Sequence, residues 1–233
     1  MERSSIYWDG VSLLTELKAS IRSMSMLIWA YVDESEGTEE RDRLEKKSAI
    51  NLLVGFAYST MHKLREEDGK ICADLKPFIS NFNYGFDGQG GYSDTNLDIL
   101  SCLLAYFQKI SKEKKANDIA ISNLNENLVK MINCVSNLEK ILRTPQPLAS
   151  FSFPKHAYRI GYEVENPFGN DSNNINLNAF CSRIERETKI IMSRPRPTFE
   201  KIFSYELDRK ATEEIFSYEL ARKATEEITI EVN

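Results

Sequence analysis

The chain has 233 residues, 42% of them hydrophobic, and a formal net charge of −5 with a sequence pI of about 5.3. That is apolar material for one helical domain, or one and a half. The acidic balance, with no basic patch, excludes nucleic acid as a partner.

The opening "MERSSIYWDG" has no apolar h-region and is not a signal peptide. From Gly10 to Val32, Leu13, Leu14, Leu17, Ile21, Met24, Ile28 and Val32 recur at helical spacing, which predicts an amphipathic helix. "DESEGTEERDR" supplies a solvated loop and a helix start. Glu39 to Leu64 reads as a second helix, with Gly69 as its stop. Inside it, "SAINLLVGFAYSTMH" (Ser48 to His62) is the longest uncharged apolar stretch in the chain. It is shorter than the roughly 20 residues that cross a bilayer. Taken alone, the sequence therefore reads as soluble.

The Gly- and Asn-rich stretch from Asn83 to Asp94 is a loop, and no strand precedes it to make a phosphate-binding fingerprint. Asn96 to Gln108 is apolar and helical, and Lys109 to Lys115 is its charged end. Ile119 to Leu142 repeats the 3.6-residue period through Leu124, Leu128, Met131, Ile132, Val135, Leu138 and Leu142. "RTPQP" stops it, because a residue before proline resists the α region. A last helix runs from Leu177 to Met192 and is stopped by "RPRP". Strand signals are weak throughout, so the fold class is all-α, a bundle of amphipathic helices.

The C-terminal tail holds a duplication: "IFSYELDRKATEE" (Ile202 to Glu214) precedes "IFSYELARKATEE" (Ile215 to Glu227). A period of 13 residues is not a whole number of helical turns and misses the heptad. The two copies therefore present different faces along one charged helix.

Candidate chemistry is sparse. Four cysteines (Cys72, Cys102, Cys134, Cys181) lie far apart, with no CxxC or Cys/His cluster for zinc. Cys102, Cys134 and Cys181 sit among apolar residues. That is the pattern of buried reduced thiols and fits a cytosolic location. The histidines, His62 and His156, have no acid or nucleophile at motif spacing. "HKLREEDG" reads as a solvated helix end with local ion pairs. Trp8 and Trp29 read as packing residues of the first helix.

The stretch "YEVENPFGNDSNN" (Tyr162 to Asn174) is less generic. Glu163, Asn166 and Asp171 are hard oxygen donors beside a Pro-Phe-Gly turn, which is calcium chemistry, though not at EF-hand spacing. The same residues support a plainer reading. Asp171, Ser172, Asn173 and Asn174 are good N-caps for the Leu177 helix.

Four segments together carry a family resemblance. "YWDGVSLLTELKASIRSMSMLIW" (Tyr7 to Trp29) resembles the Tyr-Trp-x-Gly start of the cytosolic helix of bestrophins. "LEKKSAINLLVGFAYSTMHKLREEDG" (Leu44 to Gly69) resembles the next helix in their fungal branch. "NLEKILRTPQPLA" (Asn137 to Ala149) resembles the lead into a later membrane span. "EVENPFGNDSNNINLNAFCSRIERE" (Glu163 to Glu187) resembles the Asn-Pro-Phe-Gly segment and the helix after it. The resemblance implies an anion channel, for chloride above all, assembled as a homo-pentamer in a membrane. It implies no enzyme reaction and no organic cofactor. It also implies a calcium loop, with Asn166 and Asp171 at ligand positions. Asn174 stands where the family has a second acid, which weakens that site.

The resemblance also implies membrane spans before Tyr7 and around residues 150–162. Here "SFSFPKHAYRIGY" (Ser150 to Tyr162) joins its neighbours directly and is too short to cross and return. The expectation is a bestrophin-like helical domain over 1–197 that keeps mainly the cytosolic helices and does not form a pore alone, followed by a charged helical tail over 198–233. The alternative is a soluble helical interaction or regulatory module, or a degenerate channel fragment.

Overall fold

The computed structural model describes residues 2–67, 73–79, 94–143, 167–169, 174–197 and 217–218. Every regular element among them is an α-helix: α1 (Glu2–Tyr31), α2 (Glu39–Leu64), α3 (Lys76–Ile79), α4 (Thr95–Lys112), α5 (Asp118–Arg143) and α6 (Leu177–Ser193). The chain divides into two units, Met1–Arg194 and Pro195–Asn233. In the second, Ser217 and Tyr218 are helical.

The first unit is organised by α2. From Ala49 to Met61 every residue is buried except Asn51 and Tyr58, which are half-buried. A helix that is apolar on all sides has to be covered on all sides. The remaining helices of the unit supply that cover, and one continuous core runs through α1, α2, α4, α5 and α6. The stretch that came nearest to a membrane span is thus the centre of a bundle. Among the described residues, no helix is long and apolar enough to cross a membrane.

Specific pairs fix the helix directions. Arg22 meets Glu187 and Trp29 meets Arg194, so α1 and α6 run parallel. Tyr58 meets Glu185 and Arg65 meets Asn178, so α2 runs against α6. Lys63 meets Asp94 and Lys109 meets Glu45, so α4 runs against α2. The Asp33 N–H donates to the Lys115 carbonyl at 2.7 Å, which sets the end of α1 beside the start of α5. Leu14, Leu17, Ile21, Met24 and Ile28 on α1, and Leu124, Leu128, Met131, Val135 and Leu138 on α5, supply the buried seams. Their three- and four-residue steps keep one face of each helix inward.

Most sequence-predicted elements stand within a residue or a few of their expected ends. The main difference is α1, which begins near Glu2 rather than Gly10. Glycine inside a helix costs about 1 kcal/mol against alanine, so it reads as a boundary. Here it is buried within the helix. The short α3 is not anticipated; Leu75 and Ile79 are buried, and they and Phe78 lie against Gly55 of α2. Helix α2 stops at Leu64, ahead of Gly69, with Arg65 as C-cap and Glu66 at φ 57°. Trp8 is not a packing residue: it is 62% exposed, stacked edge-on against Tyr7. Trp29 is buried, and its indole N–H donates to the Arg194 carbonyl at 3.0 Å. Ile132 is also turned largely outward.

Candidate functional site

The two most distinctive motifs meet at one end of the bundle. Phe168 of the Pro-Phe-Gly turn is fully buried. A Cβ placed on Gly10 would lie 3.4 Å from its ring and 3.1 Å from Ile175 Cδ1. The glycine of Tyr-Trp-x-Gly is therefore the flat spot on α1 that receives the turn, and an added Cβ would crowd Ile175 and touch the Phe168 ring. The Ile175 N–H donates to the Pro167 carbonyl at 2.8 Å, closing the turn back on itself. Helix α6 starts two residues later. Its N-cap is Asn176, whose side-chain oxygen accepts from the Ala179 N–H at 2.9 Å. This corrects the expectation that a residue of 171–174 caps the helix. Asn and Asp crowd this stretch, and composition alone does not select which one lies one step before the first helical residue. Asn166 and Asp171, the two residues at expected calcium positions, lie outside the described residues, as do Glu163, Ser172 and Asn173. Among the described residues, no group of three or more His, Cys, Asp or Glu could hold a metal ion.

The opposite end is built from buried charge, which the sequence reading missed. Asp42 and Lys46, one turn apart on α2, are both buried. Lys46 Nζ donates to Glu34 Oε1 at 3.1 Å, and Arg43 holds the other oxygen of Glu34 at 3.0 Å. Burial alone would raise the Glu34 carboxyl, but these two hydrogen bonds hold it below its usual range. Asp42 accepts from Lys115 Nζ and from the Ser35 N–H, each at 2.8 Å, and from Thr38 Oγ1 at 3.2 Å. The Lys115 bond first, then the Ser35 N–H, hold its carboxyl at about 2. The network ties the α1–α2 loop to the α4–α5 loop. One signal was available: Asp42 and Lys46 continue the stripe of Ile50, Leu53 and Ala57 at i, i+4 spacing, so they share a buried face.

The charged segment "HKLREEDG" is more than a solvated end. Lys63 reaches Asp94 at 2.6 Å and Glu139 at 2.7 Å, joining α2 to α4 and α5. His62 pairs with Glu67 and Asp74. The described cysteines are not activated thiols. The Cys181 thiol is buried, bonds to the Ala57 carbonyl at 3.4 Å, and is pushed up to about 12, mainly by burial. Burial likewise puts Cys134 at about 11. Cys102 is only half-buried, less enclosed than its apolar neighbours suggested, and Cys72 lies outside the described residues.

Comparisons with known proteins bear on the whole bundle. A family model described as Bacterial/Fungal Bestrophin protein matches residues 5–155. A protein of Nostoc sp. named as a voltage-dependent anion channel-forming protein is 28% identical over 214 residues, covering 77% of this chain and 67% of that protein. One of the same description from Synechocystis sp. is 23% identical over 225 residues, covering 81% and 70%. Crystal structures of variants of a bacterial bestrophin homologue from Klebsiella pneumoniae share the fold. One superposes with a TM-score of 0.66 at 17% identity, over 83% of this chain and 80% of that one.

The Asp42 network makes a pH-dependent prediction. A carboxyl depressed on folding adds stability above its ordinary value of 3.8, and that stability is lost as pH falls through about 2. Asp42→Asn is expected to lower stability by about 2 kcal/mol at pH 7, a fall in melting temperature of about 4–8 °C. The gap from the parent chain should narrow steadily below pH 4. Thermal melts of both chains at pH 7, 4 and 2.5 check this, and a gap that is absent at pH 7, or unchanged at pH 2.5, contradicts it.

Proposed function

Because the chain belongs to the bacterial and fungal bestrophin family, an anion-channel family, we propose that its bundle is the water-facing helical part of an anion-conducting assembly, with chloride as the principal ion. The observation that carries this reading is the alignment with two named anion channel-forming proteins over 67% and 70% of their lengths. The fold likeness to a bestrophin homologue supports it. The buried α2 fits a part that stands in water, since its apolar surface is spent on neighbouring helices and none is left for lipid. Crossing the membrane would fall to segments other than the described helices. The assembly is a homo-pentamer in this reading. Leu97 and Leu104 on the outer face of α4, and Val129 and Ile132 on that of α5, are apolar side chains that subunit contacts would cover.

Calcium belongs to the same proposal. With Asn176 serving as the cap of α6, the acid at Asp171 is not needed for that task. A site with Asn166 and Asp171 but asparagine at position 174 has few carboxylates, and low ligand charge places affinity in the weak, millimolar range.

Two measurements test these readings. The chain alone, reconstituted in chloride-loaded liposomes, is expected to give no flux above leak, and to co-purify with a full-length bacterial bestrophin when the two are co-expressed in membranes. Robust flux from the chain alone would show that it makes its own pore. Failure to co-purify, with the chain recovered as a soluble monomer, would remove it from the channel assembly. For calcium, the melting temperature is expected to rise only at millimolar concentrations, and Asp171→Asn should abolish the rise. No rise at 10 mM (roughly ten times the weak-site range) would leave the loop without a metal.

A further inference from the structure

His62 stands between two carboxylates. Its Nδ1 lies 2.6 Å from Glu67 Oε2 and its Nε2 lies 2.9 Å from Asp74 Oδ1. The ring is 13% exposed and each carboxylate side chain 39%. An ionised carboxylate only accepts hydrogen bonds, and a neutral imidazole carries one N–H. Both contacts can be hydrogen bonds at once only when the ring carries two protons. A neutral ring turns a lone pair toward one of the carboxylates and loses that side.

The placement gives the pairing a structural consequence. His62 lies on the last turn of α2. Glu67 follows the end of that helix, past Glu66 with its left-handed φ of 57°. Asp74 lies in the turn that leads into α3, and Leu75, Phe78 and Ile79 of this segment lie over Gly55 of α2. The ring therefore bolts the end of α2 to the segment that covers it. Several described charged groups near this end are engaged elsewhere. On α2, Lys63 pairs with Asp94 of α4 and Glu139 of α5, and Arg65 donates to Asn178 of α6. On α6, Glu185 pairs with Lys189 and accepts from Tyr58. The Cys181 thiol feels both Asp74 and Arg65, but burial keeps it neutral through the physiological range.

We infer that His62 is a proton-operated clasp, which fastens the α3 segment to α2 when the ring is charged and releases the Asp74 side when it is neutral, the remaining N–H staying with the nearer Glu67. The two-sided fastening belongs to the doubly protonated ring, so rising pH can only remove one of its two bonds. His62 and His156 are the only histidines in the chain, which keeps the test clean.

Hydrogen exchange of residues 73–79 in the full chain, corrected for the intrinsic pH dependence of exchange, reads the clasp directly. Protection at pH 5.5 should exceed that at pH 8.0 by roughly fivefold in the parent chain and in His156→Gln. In His62→Gln and in Asp74→Asn the ratio should fall to about one. Asp74 is at the surface, so Asp74→Asn tests the pairing without disturbing the core. Equal protection at the two pH values in the parent chain overturns the inference. So does retention of the parent ratio in either clasp variant.

Discussion

A helix with no polar face needs a covered position, and that requirement shapes the first unit of this protein. Ala49 to Met61 would expose leucine, valine, isoleucine and phenylalanine in every direction if α2 stood alone. Each fully buried large apolar side chain is worth about 1.5–3 kcal/mol over leaving it in water. Enclosing α2 on all sides therefore outweighs any arrangement that leaves it at an edge. The amphipathic helices α1, α4, α5 and α6 each carry one inward stripe and so form the enclosure. Where a full helix is not supplied, α3 closes the gap beside Gly55.

Polar chemistry gathers at the two ends, where the chain turns and backbone groups would otherwise lack partners. At one end Asp42 takes the Ser35 N–H and Lys115, drawing two loops together. At the other, the Pro167-Phe168-Gly169 turn seats on Gly10, and Asn176 caps α6 directly after it. The two motifs that are most recognisable in the linear sequence are thus the two halves of one contact. Their joint presence makes sense physically, since the missing side chain at Gly10 leaves room for Phe168 and Ile175.

Much of this was legible in the residues. The periodicity of Leu124, Leu128, Met131, Val135 and Leu138 specifies a buried stripe, and α5 follows within a residue of its expected ends. Helices α2 and α6 start where the charge pattern and the end of the Asn-rich run place them. What stayed hidden depends on partners distant in sequence. Gly10 reads as a helix boundary until Phe168 is seen against it. The pairing of Lys46 with Glu34 of the preceding loop is invisible in the linear sequence. His62 reads as a flank residue because neither Glu67 nor Asp74 stands at a spacing that a single helix would bring together. Trp8 shows the converse error: an apolar residue on a core helix need not face the core.

Family membership then gives the bundle its setting, and the bundle limits what it contributes. Its core helices commit most of their apolar side chains internally, while the outer faces of α4 and α5 keep isolated apolar side chains. The claim on which all of this rests is that α2 is the enclosed centre of the first unit. Native-state hydrogen exchange of the chain across a denaturant series tests that most directly. The account predicts that the amides from Ile50 to Met61 exchange slowest and only through global unfolding. Exchange of those amides by local opening, while α4 or α5 stays protected, would contradict it.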